Sequence, residues 1–155
     1  MQMRTSLSTV GDAGLHTGAP LGTVFDWTLT VHGDVEHPAV LSLAELWSFP
    51  TGNLPLRVNC VSSGPRIYEP SAQPAQFAGV FLNEIAKRVV PRSSAQTVLF
   101  ISKAPGQAGP KNLRHEVPVE CTLCDSPGQV LLAGMLDGRP LAYKNGGPLR
   151  SVVDG

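Results

Sequence analysis

Leu131-Leu132-Ala133-Gly134-Met135-Leu136-Asp137-Gly138-Arg139-Pro140-Leu141, followed by Asn145-Gly146-Gly147-Pro148-Leu149-Arg150-Ser151-Val152-Val153, is the stretch on which the fold reading turns. Its apolar opening, from Gln129 to Leu136, is short enough to be either a helix or a strand. Asp137-Gly138 then reads as a turn into an extended piece, because both residue types tolerate the left-handed backbone that tight turns need. Asn145-Gly146-Gly147-Pro148 reads as a second tight turn, and the β-like Leu149–Val153 segment after it as a strand. Two turns of this kind within twenty residues belong to short strands returning on one another, not to a bundle of long helices.

The rest of the chain carries the same punctuation. Fourteen prolines and sixteen glycines are spread through 155 residues, enough for one domain with a single core. Val24–Val31 alternates roughly and predicts a strand that ends at the His32-Gly33-Asp34 turn. In Leu41–Trp47, Ser42 followed by Glu45 forms a capping box that predicts a short helix, closed by Pro50. Leu54, Leu56, Val58 and Cys60 alternate with Arg57 and Asn59, a strand ending at Cys60. Ser62–Pro74 contains three prolines and predicts a long loop, a common place for binding groups. Phe81–Arg88 has helical spacing with basic residues in its last turn. Thr97–Ser102 is apolar enough for a buried central strand, and His115–Leu123 alternates loosely like an edge strand. The expected class is α+β, with mixed sheets and short helices. Residues 1–22, rich in Gly, Ser, Thr and Ala, are expected to be a flexible leader to a single domain spanning 23–155.

Composition narrows the function. Hydrophobic residues make up 42% and charged residues 15%, and twelve basic residues balance twelve acidic ones. That balance creates no field to attract nucleic acid or an anionic membrane. No apolar run is long enough for a membrane span or a secretory signal, so a cytoplasmic location is expected, a processed exported form being the alternative. Three cysteines form no disulfide framework. Cys121 and Cys124 have the spacing of half a zinc knuckle or a thiol redox pair, but no second Cys/His pair accompanies them, and free thiols are the default reading. No P-loop, dinucleotide fingerprint or Ser-His-Asp order is present.

Several of these segments together resemble the sulfite oxidase-like oxidoreductase molybdopterin-binding domain family. The resemblance begins with Trp27–Gly33 and the Leu41–Leu46 helix. It continues through Arg57-Val58-Asn59-Cys60-Val61 and Gly79-Val80-Phe81-Leu82. It is most specific in Leu131–Leu141 and Gly146–Arg150, where residue types and spacing agree over about twenty positions. The chain departs from the pattern at Asn145, where the family often has histidine, and at Phe77-Ala78, where tryptophan is common. It stops at Gly155, before a segment bearing a lysine and a tryptophan.

The resemblance implies the sulfite oxidase molybdopterin-binding fold and a molybdenum–molybdopterin cofactor. Cys60 would be the metal ligand, a soft thiolate suited to a metal already bound by dithiolene sulfur. Arg57 and Arg66 would lower the thiol pKa or draw in an anionic substrate, with Tyr68 at the mouth. Asn59 and Ser102 would bond the pterin, while Gly147 and Arg150 would cradle its phosphate. The implied activity is oxygen-atom transfer to or from a small anionic substrate, with electrons passing to or from a redox partner protein. The alternative from the departures is a cofactor-free, non-catalytic binding or structural member of the same fold.

Overall fold

The structure, a computed structural model, describes residues 1–7, 27–56, 74–103, 112–122, 129–141 and 147–153, some of them by backbone alone. Among the described residues, ten strands and two short α-helices follow one another: β1 Gln2–Leu7, β2 Trp27–His32, β3 Ala39–Ser42, α1 Leu43–Leu46, β4 Thr51–Leu56, β5 Ala75–Phe81, α2 Leu82–Val89, β6 Thr97–Lys103, β7 Asn112–Pro118, β8 Val130–Leu136, β9 Arg139–Pro140 and β10 Arg150–Val153. This is the expected α+β class. Five of the described strands form one mixed sheet in the order β3-β2-β1-β6-β7, and the other five form an antiparallel sheet in which β10-β8-β5-β4 run side by side and β9 pairs with β8 off that path.

Local chemistry accounts for the helices. Ser42 accepts from the Glu45 N–H at 3.2 Å, and the Ser42 N–H and Oγ donate back to Glu45 Oε2 at 2.8 and 2.7 Å, completing the capping box the sequence predicts. α2 buries Leu82, Ile85, Ala86 and Val89 along one stripe and keeps Lys87 and Arg88 in its last turn. It stops at Val90, whose φ of 51° is left-handed, and the loop after β2 is fastened to that end: the Glu36 N–H donates to Val90 O at 2.9 Å and the His37 N–H to Val89 O at 3.0 Å.

The first sheet corrects one expectation. Residues 2–7 are a strand rather than part of a leader, with Gln2–Leu7 antiparallel to β2 and Gln2–Thr5 parallel to β6. Propensity is weak there, and pairing on both sides supplies what the local sequence lacks. The Met1 ammonium donates to Thr97 O at 2.8 Å and Met1 is buried. Residues 8–22, the remainder of the expected leader, lie outside the described residues. Thr97–Lys103 is hydrogen-bonded on both edges, as a central strand must be, yet while Val98 is fully buried, Leu99, Phe100 and Ile101 are half-covered and Thr97 is exposed. The next expected strand ends early: β7 is an edge strand through Pro118, after which Val119–Thr122 turns as a 3-10 helix, with the buried Thr122 Oγ1 donating to Val119 O at 2.6 Å.

Val130–Leu136 resolves the helix-or-strand alternative as a strand buried on both faces. Val130 and Leu132 join the main core with Leu29, Val31, Leu46, Ile85 and Val98, whereas Leu131 and Ala133 join a second cluster with Leu54, Phe77, Leu141 and Val152. The β5–β8 register slips between Ala78 and Gly79: Ala78 pairs with Met135 but Gly79 with Ala133, so Gly134 is an extra residue, a β-bulge. Beyond it the alternation inverts, and Leu136 packs on the second cluster. The bulge carbonyl is not left open, because the Leu141 N–H donates to Gly134 O at 2.8 Å.

Candidate functional site

The antiparallel sheet carries the described ends of two candidate segments, at Leu56 and at Arg150. β4 runs out at Leu56, which pairs with Ala75 at the start of β5, and β5 pairs with β8 so that Phe77 faces Leu136. The chain beyond Leu56 leads through four residues to Cys60. β10 runs antiparallel to β8, from Arg150 opposite Ala133 to Val153 opposite Val130, so Arg150 stands level with the start of β4 and not with its exit. Arg57, Asn59, Cys60, Arg66 and Tyr68 lie outside the described residues. The backbone of Ser102 is in β6, in the other sheet, and Gly147 and Arg150 stand at the entrance to β10.

Strand alternation fixes the face. Arg150 is two residues from Val152 and opposite Ala133, both members of the second cluster, so its side chain leaves the sheet on the face that carries Leu54 and Phe77. It is exposed. Across the strands its row runs Arg150, Ala133, Gly79, Gly52. Apart from Arg150 this row bears nothing larger than a methyl group. At Gly79 an added Cβ would strike the Leu132 carbonyl oxygen, and at Gly52 it would strike the Phe81 ring, so both positions admit only glycine without rearrangement. With ordinary strand spacings, Leu56 and Arg150 stand on the order of 20 Å apart across this face. Four residues of chain span at most about 14 Å, which bounds how far Cys60 can lie from Leu56.

The opposite face supports the same turn. A Cβ on Gly134 would collide with the benzo edge of the Trp47 indole and would lie 3.4 Å from Pro148 O. Trp47, the C-cap residue of α1, thus lies across the bulge, on the side from which the Pro148 carbonyl also approaches it. This contact was not legible in the sequence, where Trp47 reads only as part of an apolar helix face. In the structure Trp47 stands 36% exposed at the end of a one-turn helix.

At the near end of the sheet, Asp137 (φ 50°) and Gly138 (φ 74°) form a tight left-handed turn between β8 and β9. The Asp137 N–H donates to Gln76 O at 2.8 Å, and Asp137 Oδ1 accepts from the Gln76 N–H at 2.9 Å.

Of the cysteines, Cys121 is half-buried in the 3-10 turn against the main core, and Cys124 lies outside the described residues. Among the described residues no group of three His, Cys, Asp or Glu side chains could hold a metal ion, and no helix is long and apolar enough to cross a membrane.

A sequence profile of the oxidoreductase molybdopterin binding domain matches residues 16–155. The protein-methionine-sulfoxide reductase catalytic subunit MsrP of Xanthomonas axonopodis pv. citri is 32% identical over 138 residues, covering 82% of this chain and 39% of the relative. The MsrP of Xanthomonas campestris pv. campestris is 31% identical over the same length and shares. The chain therefore spans well under half the length of these curated relatives. Among solved structures, the sulfane dehydrogenase SoxCD from Paracoccus pantotrophus superposes with a TM-score of 0.64 at 21% identity, over 84% of this chain and 34% of that one. At that identity the likeness is one of fold.

Proposed function

This chain belongs to the oxidoreductase molybdopterin-binding domain family, a family that binds the molybdopterin cofactor, and from that premise we propose that it holds a molybdenum–molybdopterin centre through Cys60 and Arg150. The observation that carries the reading is the register of the antiparallel sheet. It sets Arg150 level with Gly52 in β4, on the face bearing Leu54, and β4 then runs four residues further to Leu56, from which the chain leads to Cys60. The described part of the site fits a phosphorylated group: an exposed arginine follows a Gly147-Pro148 turn, beside a row whose glycines keep bulk away. Arg150 would hold phosphate oxygens by charge-assisted, fork-shaped hydrogen bonds.

Cys60 supplies the thiolate, and Arg57 or Arg66 favours its ionisation while attracting an anionic substrate. Asn59 and Ser102 offer hydrogen bonds to the pterin. When bound, the cofactor would supply oxygen-atom transfer to or from a small substrate. The name of the MsrP relatives supports a sulfur–oxygen bond as the reacting group. Electrons would be exchanged with a redox partner protein, as the cofactor needs a source or sink.

The test is elemental analysis for molybdenum on protein made in cells that synthesise the cofactor, with wild type compared to Cys60→Ser. Near-stoichiometric metal in the wild type that falls away in the variant is the expected result. Well-folded wild type without metal would overturn the reading and favour a cofactor-free member of the family.

A further inference from the structure

We propose that Trp47 is a positioning residue for the Gly147-Pro148 turn, holding Arg150 in the attitude needed to grip the cofactor phosphate; this rests on the function proposed above.

Three observations converge on it. Trp47 caps a helix fixed by the Ser42–Glu45 capping box, and the helix neighbour Leu46 is fully buried in the main core, so the indole is presented from a rigid base. The benzo edge of the indole fills the space left by the absent side chain of Gly134, and Pro148 O lies 3.4 Å from that same point. Indole edge and turn carbonyl therefore flank one spot. Finally, Gly134 is the bulge residue next to Ala133, the β8 partner of Arg150.

A bulge interrupts the ladder and leaves the local backbone less constrained than regular pairing would. β10 is short, and Arg150 is its first residue. An aromatic plate against the bulge and the turn restores the lost constraint from the face opposite Arg150. Trp47 does not reach the ligand side; it acts through backbone. Its 36% exposure fits that role, since a residue recruited only for core burial would be covered.

The experiment compares wild type, Trp47→Phe and Trp47→Ala, all made in cofactor-synthesising cells. Hydrogen exchange on cofactor-stripped protein is expected to be about tenfold faster at residues 149–151 in Trp47→Ala, with α2 and β6 unchanged. Molybdenum content is expected to fall severalfold in Trp47→Ala and to fall less in Trp47→Phe, which keeps an aromatic ring on the helix cap but lacks the Cζ2–Cη2 edge that meets Gly134. Equal exchange and equal metal in all three proteins would overturn the proposal while leaving the proposed function intact. Accelerated exchange throughout Trp47→Ala would reduce Trp47 to a general stabiliser and also overturn it. Metal-free wild type would overturn the function proposal and the cofactor role of Trp47 with it.

Discussion

Asp137 and Gln76 exchange two hydrogen bonds, one through backbone atoms and one from the Gln76 amide to the Asp137 carboxylate, and so tie the β8–β9 turn to the start of β5. The carboxylate bond is exposed, which limits its net worth, but it also steadies a non-glycine residue at positive φ. Asp137→Ala should lose about 1–2 kcal/mol in a urea titration. Asp137→Asn keeps both an acceptor and tolerance of the left-handed region, and should lose less than half as much.

Gly79 and Gly138 make a contrasting pair. Gly79 has no room, because a Cβ would strike backbone atoms of Leu132 and Ala133 that belong to the same sheet. Gly138 has open space around it but a φ of 74°. Gly79→Ala should therefore cost about 3 kcal/mol or more and reduce the yield of folded protein. Gly138→Ala should cost only about 1 kcal/mol, through backbone strain.

Val90 is a β-branched residue in the left-handed region at the C-cap of α2, where glycine is the usual occupant. Its side chain is 37% exposed, so little burial is lost on removal. Relief of about 1–2 kcal/mol of strain outweighs the entropy glycine adds to the unfolded chain. Val90→Gly should raise the denaturation midpoint by an amount equivalent to about 0.5–1 kcal/mol.

The hydrogen bonds from Ser42 hold the Glu45 carboxyl below its ordinary pKa. A depressed folded-state value means that the contribution is present above the unfolded pKa and is lost as pH falls through the folded one. Thermal melts of wild type and Glu45→Gln should differ at pH 7 and converge in acid, below the ordinary glutamate range. A difference that persists unchanged at low pH would refute this assignment.

Arg150 is exposed and enters the ladder through its backbone, so Arg150→Ala should leave the melting temperature within about 3 °C of wild type. Cofactor content should nevertheless fall at least severalfold, and Arg150→Lys should restore only part of it, since a lysine cannot make the forked contact. Metal analysis after gel filtration reads this directly.

What could be read from the sequence was what local chemistry settles. Ser42 and Glu45 specify their helix by direct hydrogen bonds, and the Asp137-Gly138 turn is written in residues that accept positive φ. β1 was missed because Gln2–Leu7 owes its strand conformation to partners at positions 27–32 and 99–102 rather than to its own pattern. The bulge at Gly134 was missed for a related reason: in an unbroken apolar run, both faces are buried and alternation carries no register. As for the site, Gly147 and Arg150 stand at the entrance to β10, and Cys60, Arg57, Asn59 and Arg66 lie outside the described residues. The contact between Trp47 and Gly134 joins segments far apart in sequence, and no local signal announces such a contact.

The parallel pairing of Gln2 with Leu99 also sets a timetable. During synthesis at roughly 5–20 residues per second, β1 exists for about 5–20 s before its β6 partner has been made. Through that interval one edge of what will become an interior strand lacks its native neighbour and is open to other chains. Slow or crowded expression should therefore produce aggregates seeded by residues 2–7, even though the finished sheet hides that segment between two strands.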